Sequence, residues 1–254
     1  MSDATTGQAG DAGESTSGTD GTAEAFEVVE VVEAFGAVET GADGYDAVVF
    51  DLGGVFTDSP FEALRQVGVG KGVSFEEAMD VVFGPYHADT DHPWHRAERG
   101  QLDLETCRTE IRAIGTERGV DIDLLDVLAH MAGGGVREPM VEVVRRIRAT
   151  GRRTALLTNN VAEFRPFWHD MLPFDELFDL VVDSSDVGLR KPDPAVYRHV
   201  LDGLGGVAFE RSVFLDDYEG NVVAARALGM TGIVVDVDPT PAIAELVAVL
   251  GLDA

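Results

Sequence analysis

Cationic residues are scarce in this 254-residue chain. Nineteen lysines and arginines face 46 aspartates and glutamates, the formal net charge is −27, and the only lysines are Lys71 and Lys191. So acidic a surface repels nucleic acid and anionic lipid, which argues against both as partners. An anionic substrate would therefore need its own local cations: a metal ion, a lysine or helix N-termini. Cysteine is nearly absent. Cys107 stands alone, so an intramolecular disulfide is excluded and a reducing, cytoplasmic setting is expected. A lone thiol of this kind reads as a partly buried apolar side chain. No apolar run reaches the ~18 residues a bilayer span requires. The start of the chain also lacks the basic residues of a secretory leader.

What is present suffices for a core, since 45% of the residues are hydrophobic. The length suits one large domain, or a domain with a smaller insert. Residues 1–22 are dominated by Gly, Ser, Thr, Ala, Asp and Glu, a composition that buries too little surface to offset ordering entropy. From Phe26 to Val38, apolar residues interleave with Glu27, Glu30 and Glu33. That pattern suits a short amphipathic helix or, by its valines, a strand. Residues 1–43 hold ten acidic and no basic residues. They are expected to form a disordered acidic extension, either loosely attached or docking a protein partner.

After Gly41 the pattern turns globular. Apolar runs at Ala47–Phe50, Thr154–Leu157, Leu180–Val182, Val213–Leu215 and Ile233–Val235 read as buried strands. Helical spacing over Glu138–Thr150, Pro194–Leu204 and Glu219–Leu228 alternates with them. The alternation predicts an α/β fold: a Rossmann-like, doubly wound parallel sheet with helices on both faces. Residues 59–135 break the rhythm and are too long for one crossover. Helical patterns at Phe61–Val67, Ser74–Phe83, Leu104–Ile114 and Ile122–Met131 predict an inserted helical cap domain, with Gly133-Gly134-Gly135 as its hinge. The core is then 44–58 plus 136–254.

Ligands of parallel sheets sit beyond the carboxyl ends of the strands. The residues there are Asp51, then Thr158-Asn159-Asn160, then Asp216-Asp217, with Lys191 before Pro192. Singly each reads as a cap or turn residue. Together they place carboxylates, a hydroxyl and an ammonium on one edge.

These segments resemble the four motifs of haloacid-dehalogenase-like hydrolases. Phe50-Asp51-Leu52-Gly53-Gly54-Val55 is similar to the first and Leu156-Leu157-Thr158-Asn159-Asn160 to the second. Arg190-Lys191-Pro192-Asp193-Pro194 is similar to the third. Phe214-Leu215-Asp216-Asp217, followed by Asn221, is similar to the fourth. The likeness runs over about residues 46–236. It is nearest to small phosphatases related to the N-terminal phosphatase domain of bifunctional epoxide hydrolases. The resemblance implies a Mg²⁺-dependent phosphatase acting on a small phosphorylated metabolite. Asp51 would be the nucleophile, and Asp51, the Gly53 carbonyl and Asp217 the metal ligands. Asp216 would assist them, Lys191 would be the neutralising cation, and Thr158 and Asn159 would bind phosphate. The chemistry is coherent, because a divalent ion removes the repulsion between a carboxylate and a phosphate, and an aspartyl-phosphate could form.

One departure matters. Phosphatases of this family usually carry a second aspartate two residues after the nucleophile as general acid and base, and here that position is Gly53. Losing such a group costs roughly 10²–10⁴ in rate. Asp58, His92 or His95 would be substitutes; otherwise the substrate has a good leaving group, or the chain is a weakly catalytic phospho-ligand-binding module. Metal-free dehalogenases lack the acidic pair Asp216-Asp217, which argues against that chemistry. Phosphonate-cleaving relatives use a cap lysine as a Schiff base, and Lys71 is the lone candidate. The polar-aromatic stretch His87–Gly100 is the richest in the cap. Within it His92, Trp94, His95 and Arg96 are expected to face the substrate, the alternative being a helix start with solvated charges.

Overall fold

The structure is a computed structural model that describes residues 44–131 and 135–252. The expected extension 1–43, and Gly133 and Gly134 of the expected hinge, lie outside the described residues.

Five strands form one parallel sheet: β1 (Ala47–Phe50), β2 (Arg153–Thr158), β3 (Leu180–Asp183), β4 (Ser212–Asp216) and β5 (Thr231–Val234), in the order β3-β2-β1-β4-β5. Their side chains separate by parity. Val48, Phe50, Leu156, Val213, Leu215 and Ile233 pack with Met140, Val144, Ile147 and Leu246. Ala47, Val49, Ala155, Leu157 and Phe214 pack with Val196, Tyr197, Val200 and Ala225. Period-two alternation thus feeds two apolar layers at once, which is why the strands read as near-continuous hydrophobic runs.

Between β1 and β2 lie α1 (Pro60–Lys71), α2 (Phe75–Val82), α3 (Pro93–Glu98), α4 (Leu104–Arg118), α5 (Leu124–Met131) and α6 (Glu138–Ala149). The first five build the cap. Its ends are fixed by local chemistry. Ser59 caps α1 ahead of Pro60 and Gly72 closes it in the left-handed region. Ser74 and Glu77 form a capping box on α2. Asp103 and Gly119 bracket α4. Leu64, Val81, Val82, Ile111, Leu124 and Val127 form a core of the cap's own, which reaches the sheet domain through Val161, Phe164 and Tyr218. Cys107 is buried within it, and burial pushes its thiol up to about 12, so the thiol is chemically quiet.

The rest of the sheet domain carries α7 (Arg165–Trp168), α8 (Phe174–Leu177), α9 (Ser184–Val187), α10 (Pro194–Gly203), α11 (Glu219–Ala227) and α12 (Thr240–Val249). From β1 the chain winds out through β2 and β3, then crosses back to β4 and β5. The direction reverses between β1 and β4, which opens a crevice at their carboxyl ends. Among the described residues, no helix is long and apolar enough to cross a membrane.

Candidate active site

The crevice is where Asp51 and Asp216 emerge. Phe50 pairs with Leu215 across β1 and β4, and the Asp51 N–H donates to the Leu215 carbonyl at 2.9 Å. The two carboxylates are therefore level. Asp217 follows directly, and ligand atoms of Asp51, Asp216 and Asp217 lie within 4.8 Å of one another.

One ammonium is set among them. Lys191 Nζ lies 2.8 Å from Asp51 Oδ1 and 2.7 Å from Asp216 Oδ2, and donates to the Leu157 carbonyl at 3.0 Å. Burial alone would lower this lysine, but Asp216 and Asp51 outweigh it and hold it above the ordinary range. Three carboxylates against one ammonium leave the cluster short of positive charge. Burial pushes Asp51 up to about 7, with Lys191 opposing and Asp216 reinforcing the rise. Burial, then Asp216 and Asp51, pushes Asp217 well above the carboxylate range. Such a cluster takes up either protons or a cation, and all-oxygen donors suit a hard divalent ion.

The two adjacent aspartates differ in their neighbours. Asp216 accepts from Lys191, from the Tyr218 N–H at 2.8 Å and from Asn221 Nδ2 at 3.1 Å to each oxygen. Asp217 accepts from the Ser59 hydroxyl. Asp216 is thus saturated as a holder of neighbours, while Asp217 keeps lone pairs for another partner. On Asp51, Oδ1 takes the Leu52 N–H at 2.7 Å as well as Lys191, so Oδ2 is the oxygen left for attack.

Gly54 is required here. Its φ is +67°, and a Cβ would overlap the Asp217 carboxylate. Gly53 is different: a Cβ there would meet Pro60 Cδ at 3.4 Å, an ordinary contact. Thr158 ends β2 and is buried. Asn159 brackets Lys191: Oδ1 accepts the Lys191 N–H at 2.8 Å and Nδ2 donates to its carbonyl at 2.9 Å. Its amide thereby holds the lysine backbone.

The cap residues expected to meet substrate have defined partners. His92 caps α3, its Nδ1 accepting the Trp94 N–H at 3.2 Å. Trp94 is buried and donates to Glu98 at 2.8 Å. His95 is buried, its Nδ1 accepting the Thr90 N–H at 3.1 Å. Arg96 pairs with Glu110 at 3.0 Å. The side-chain partners of all four thus lie within the cap; Trp94 and His95 are buried, whereas His92 and Arg96 stay partly exposed. Asp58 and Lys71 lie as follows. Asp58 is exposed, and its main-chain carbonyl takes the Gly54 N–H at 3.3 Å. Lys71 pairs with Asp126 at 2.8 Å, and that hydrogen bond raises its pKa, whereas a Schiff-base lysine needs a lowered one.

Ser59, Tyr218, Phe61 and Tyr86 were not singled out from the sequence. The last three rings pack at 5.1–5.3 Å between centroids. Only Ser59 left a local signal, as a helix cap before proline.

Comparison with known proteins shows the family and the fold. A family model of haloacid dehalogenase-like hydrolases matches residues 45–229. The chain is 32% identical over 152 residues to bifunctional epoxide hydrolase 2 of Rattus norvegicus, covering 58% of this chain and 27% of that protein. It is therefore far shorter than that relative. It is 28% identical over 195 residues to the sesquiterpene phosphatase astK of Aspergillus oryzae, covering 74% of this chain and 89% of that one. Among solved structures it resembles a HAD family enzyme of Bacteroides thetaiotaomicron in complex with magnesium and inorganic phosphate. The TM-score is 0.51 at 17% identity, covering 76% of this chain and 96% of that one.

Proposed function

We propose, from the premise that this chain belongs to the haloacid dehalogenase-like hydrolases, that it hydrolyses a small phosphomonoester through an aspartyl-phosphate on Asp51. The observation that carries this reading is the buried trio Asp51, Asp216 and Asp217 with one ammonium between two of them. A phosphatase relative along most of this chain supports it, as does a magnesium and phosphate complex of a protein of the same fold.

Asp51, Asp217 and the Gly53 main-chain oxygen would hold a Mg²⁺ ion, with Asp216 beside them. When bound, the ion supplies the charge that lets an anion approach an anion. The chain does the rest. Lys191 neutralises the phosphoryl oxygens and favours the ionised form of Asp51, as a compact cation can. The Thr158 hydroxyl and neighbouring main-chain N–H groups bind phosphate oxygens. Asp51 Oδ2 attacks phosphorus, and the bond from phosphorus to the leaving oxygen breaks. That oxygen takes its proton from water, because Gly53 offers none. Water then attacks phosphorus, the bond to Asp51 breaks, and inorganic phosphate leaves.

The test is p-nitrophenyl phosphate hydrolysis with Mg²⁺ and with EDTA. Metal-dependent turnover abolished by Asp51→Asn is expected. Gly53 favours one second reading, a weakly catalytic module that binds a phosphorylated ligand. Tight phosphate-ester binding without turnover across a substrate panel would establish that reading instead. Halide release without metal would overturn both.

A further inference from the structure

Glu98, the last residue of α3, is 1% exposed and collects three donors. Tyr86 Oη and Trp94 Nε1 donate to Oε1 at 2.7 and 2.8 Å, and Arg190 Nε donates to Oε2 at 2.7 Å. Arg190 belongs to the sheet domain and is 0% exposed. Its Nη1 donates to the Ala88 carbonyl at 3.2 Å, and its guanidinium lies 4.8 Å from the Tyr86 ring centroid. An arginine of the sheet domain is thus enclosed by cap groups.

Arg190 also immediately precedes Lys191. On the other side, Asn159 grips the Lys191 main chain, and the same Asn159 amide approaches Tyr86 Oη at 3.4 Å. The lysine backbone is therefore pinned twice, by the end of β2 and, through Arg190, by the cap. This pinning has a purpose in physical terms. A lysine stem has four rotatable carbons, and its ammonium must stay within 3 Å of both Asp51 and Asp216. A buried ion pair is poor value for stability alone, since apolar replacements of like volume often match it. Cap packing alone would not select one.

We propose that Glu98 and Arg190 are positioning residues. The cap carboxylate clamps the arginine, the arginine sets the main chain of Lys191, and the ammonium is placed between its two aspartates only when cap and core are joined. The kinetic part of the test rests on the phosphatase reading; the exchange part does not.

The variants are Glu98→Gln, which keeps shape but removes the charge, and Glu98→Gln/Arg190→Met, which removes both charges and leaves no unpaired buried charge. Ile111→Val in the cap core serves as a stability control. Amide hydrogen exchange of residues 188–193 is measured in the full-length, metal-free protein. It should quicken about tenfold or more in both variants and stay unchanged in the control. With Mg²⁺ and p-nitrophenyl phosphate, kcat per folded site should fall roughly 10- to 100-fold, as expected for a misplaced group, with KM moving less than about threefold. Should Glu98→Gln not fold, the double variant decides. Wild-type exchange and wild-type kcat in the double variant would overturn the proposal. If the native protein turns over no phosphate ester, the phosphatase reading fails, and the exchange result alone decides this one.

Discussion

Restoring a carboxylate at position 53 is the most informative perturbation of this site. The backbone admits it: Gly53 lies outside the left-handed region, and its Cβ would sit 3.4 and 3.8 Å from Pro60 Cδ and Cγ. Gly53→Asp would add a fourth carboxylate beside three that already share one ammonium. Like charges raise its pKa, which keeps it protonated near neutrality, as a general acid must be. Protonating a leaving alkoxide contributes roughly 10²–10⁴ in rate, equivalent to about 3–5 kcal/mol of barrier at 1.36 kcal/mol per tenfold. The gain depends on the leaving group. p-Nitrophenolate departs unaided, so its ester should gain little, while an alkyl phosphate should gain the full factor. The assay is kcat/KM for p-nitrophenyl phosphate and for an alkyl phosphate at saturating Mg²⁺. The alkyl-to-aryl ratio is expected to rise roughly 10²- to 10⁴-fold. A variant that loses rate equally on both esters would refute the reasoning. It would mean that another group already supplies the proton and that the new side chain merely obstructs it.

Three further outcomes follow from the same geometry. Glu98→Ala leaves the buried Arg190 guanidinium without its carboxylate and should destabilise by about 3–5 kcal/mol, a drop of roughly 6–20 °C in Tm at about 2–4 °C per kcal/mol; a loss under about 1 kcal/mol by urea unfolding would contradict it. Gly54→Ala must displace the Asp217 carboxylate and adopt a left-handed φ of +67°, so turnover should collapse and stability should fall by at least the ~1–2 kcal/mol of the backbone strain; retained turnover would show that Asp217 is dispensable. Burial holds His92 down to about 4 and His95 down to about 3, against about 6.5 unfolded. The unfolded chain therefore binds protons that the fold refuses, and stability drains as pH falls from 6.5 toward 4, by about 1.4 kcal/mol per pH unit for each histidine. Urea midpoints between pH 7 and 5 should fall more steeply for the native protein than for His92→Asn/His95→Gln, and parallel slopes would defeat the assignment.

Sequence alone settled whatever depends on chain-local chemistry. Apolar runs of three or four residues located all five strands to within two residues. Polar residues at the ends of those runs pointed to Asp51, Asp216 and Asp217, because in a parallel sheet the end of a strand is already an address; Lys191 follows the third run only after an intervening stretch. The missing acid at Gly53 was legible only through the resemblance to the family, since a glycine by itself announces no absence. Tertiary structure decided the rest. Strand order placed Asp51 level with Asp216, and a one-dimensional pattern does not encode which strands are neighbours. The division of labour within Asp216-Asp217 came from Asn221, Ser59 and Lys191, which converge from different elements. The cap depends on packing for the same reason. His92, Trp94, His95 and Arg96 have polar tips that suit a substrate, but the orientation of a six-residue helix is set by what it packs on. Packing buried Trp94 and His95, left His92 and Arg96 partly exposed, and placed Glu98, an ordinary helix-end glutamate in sequence, against an arginine 92 residues away.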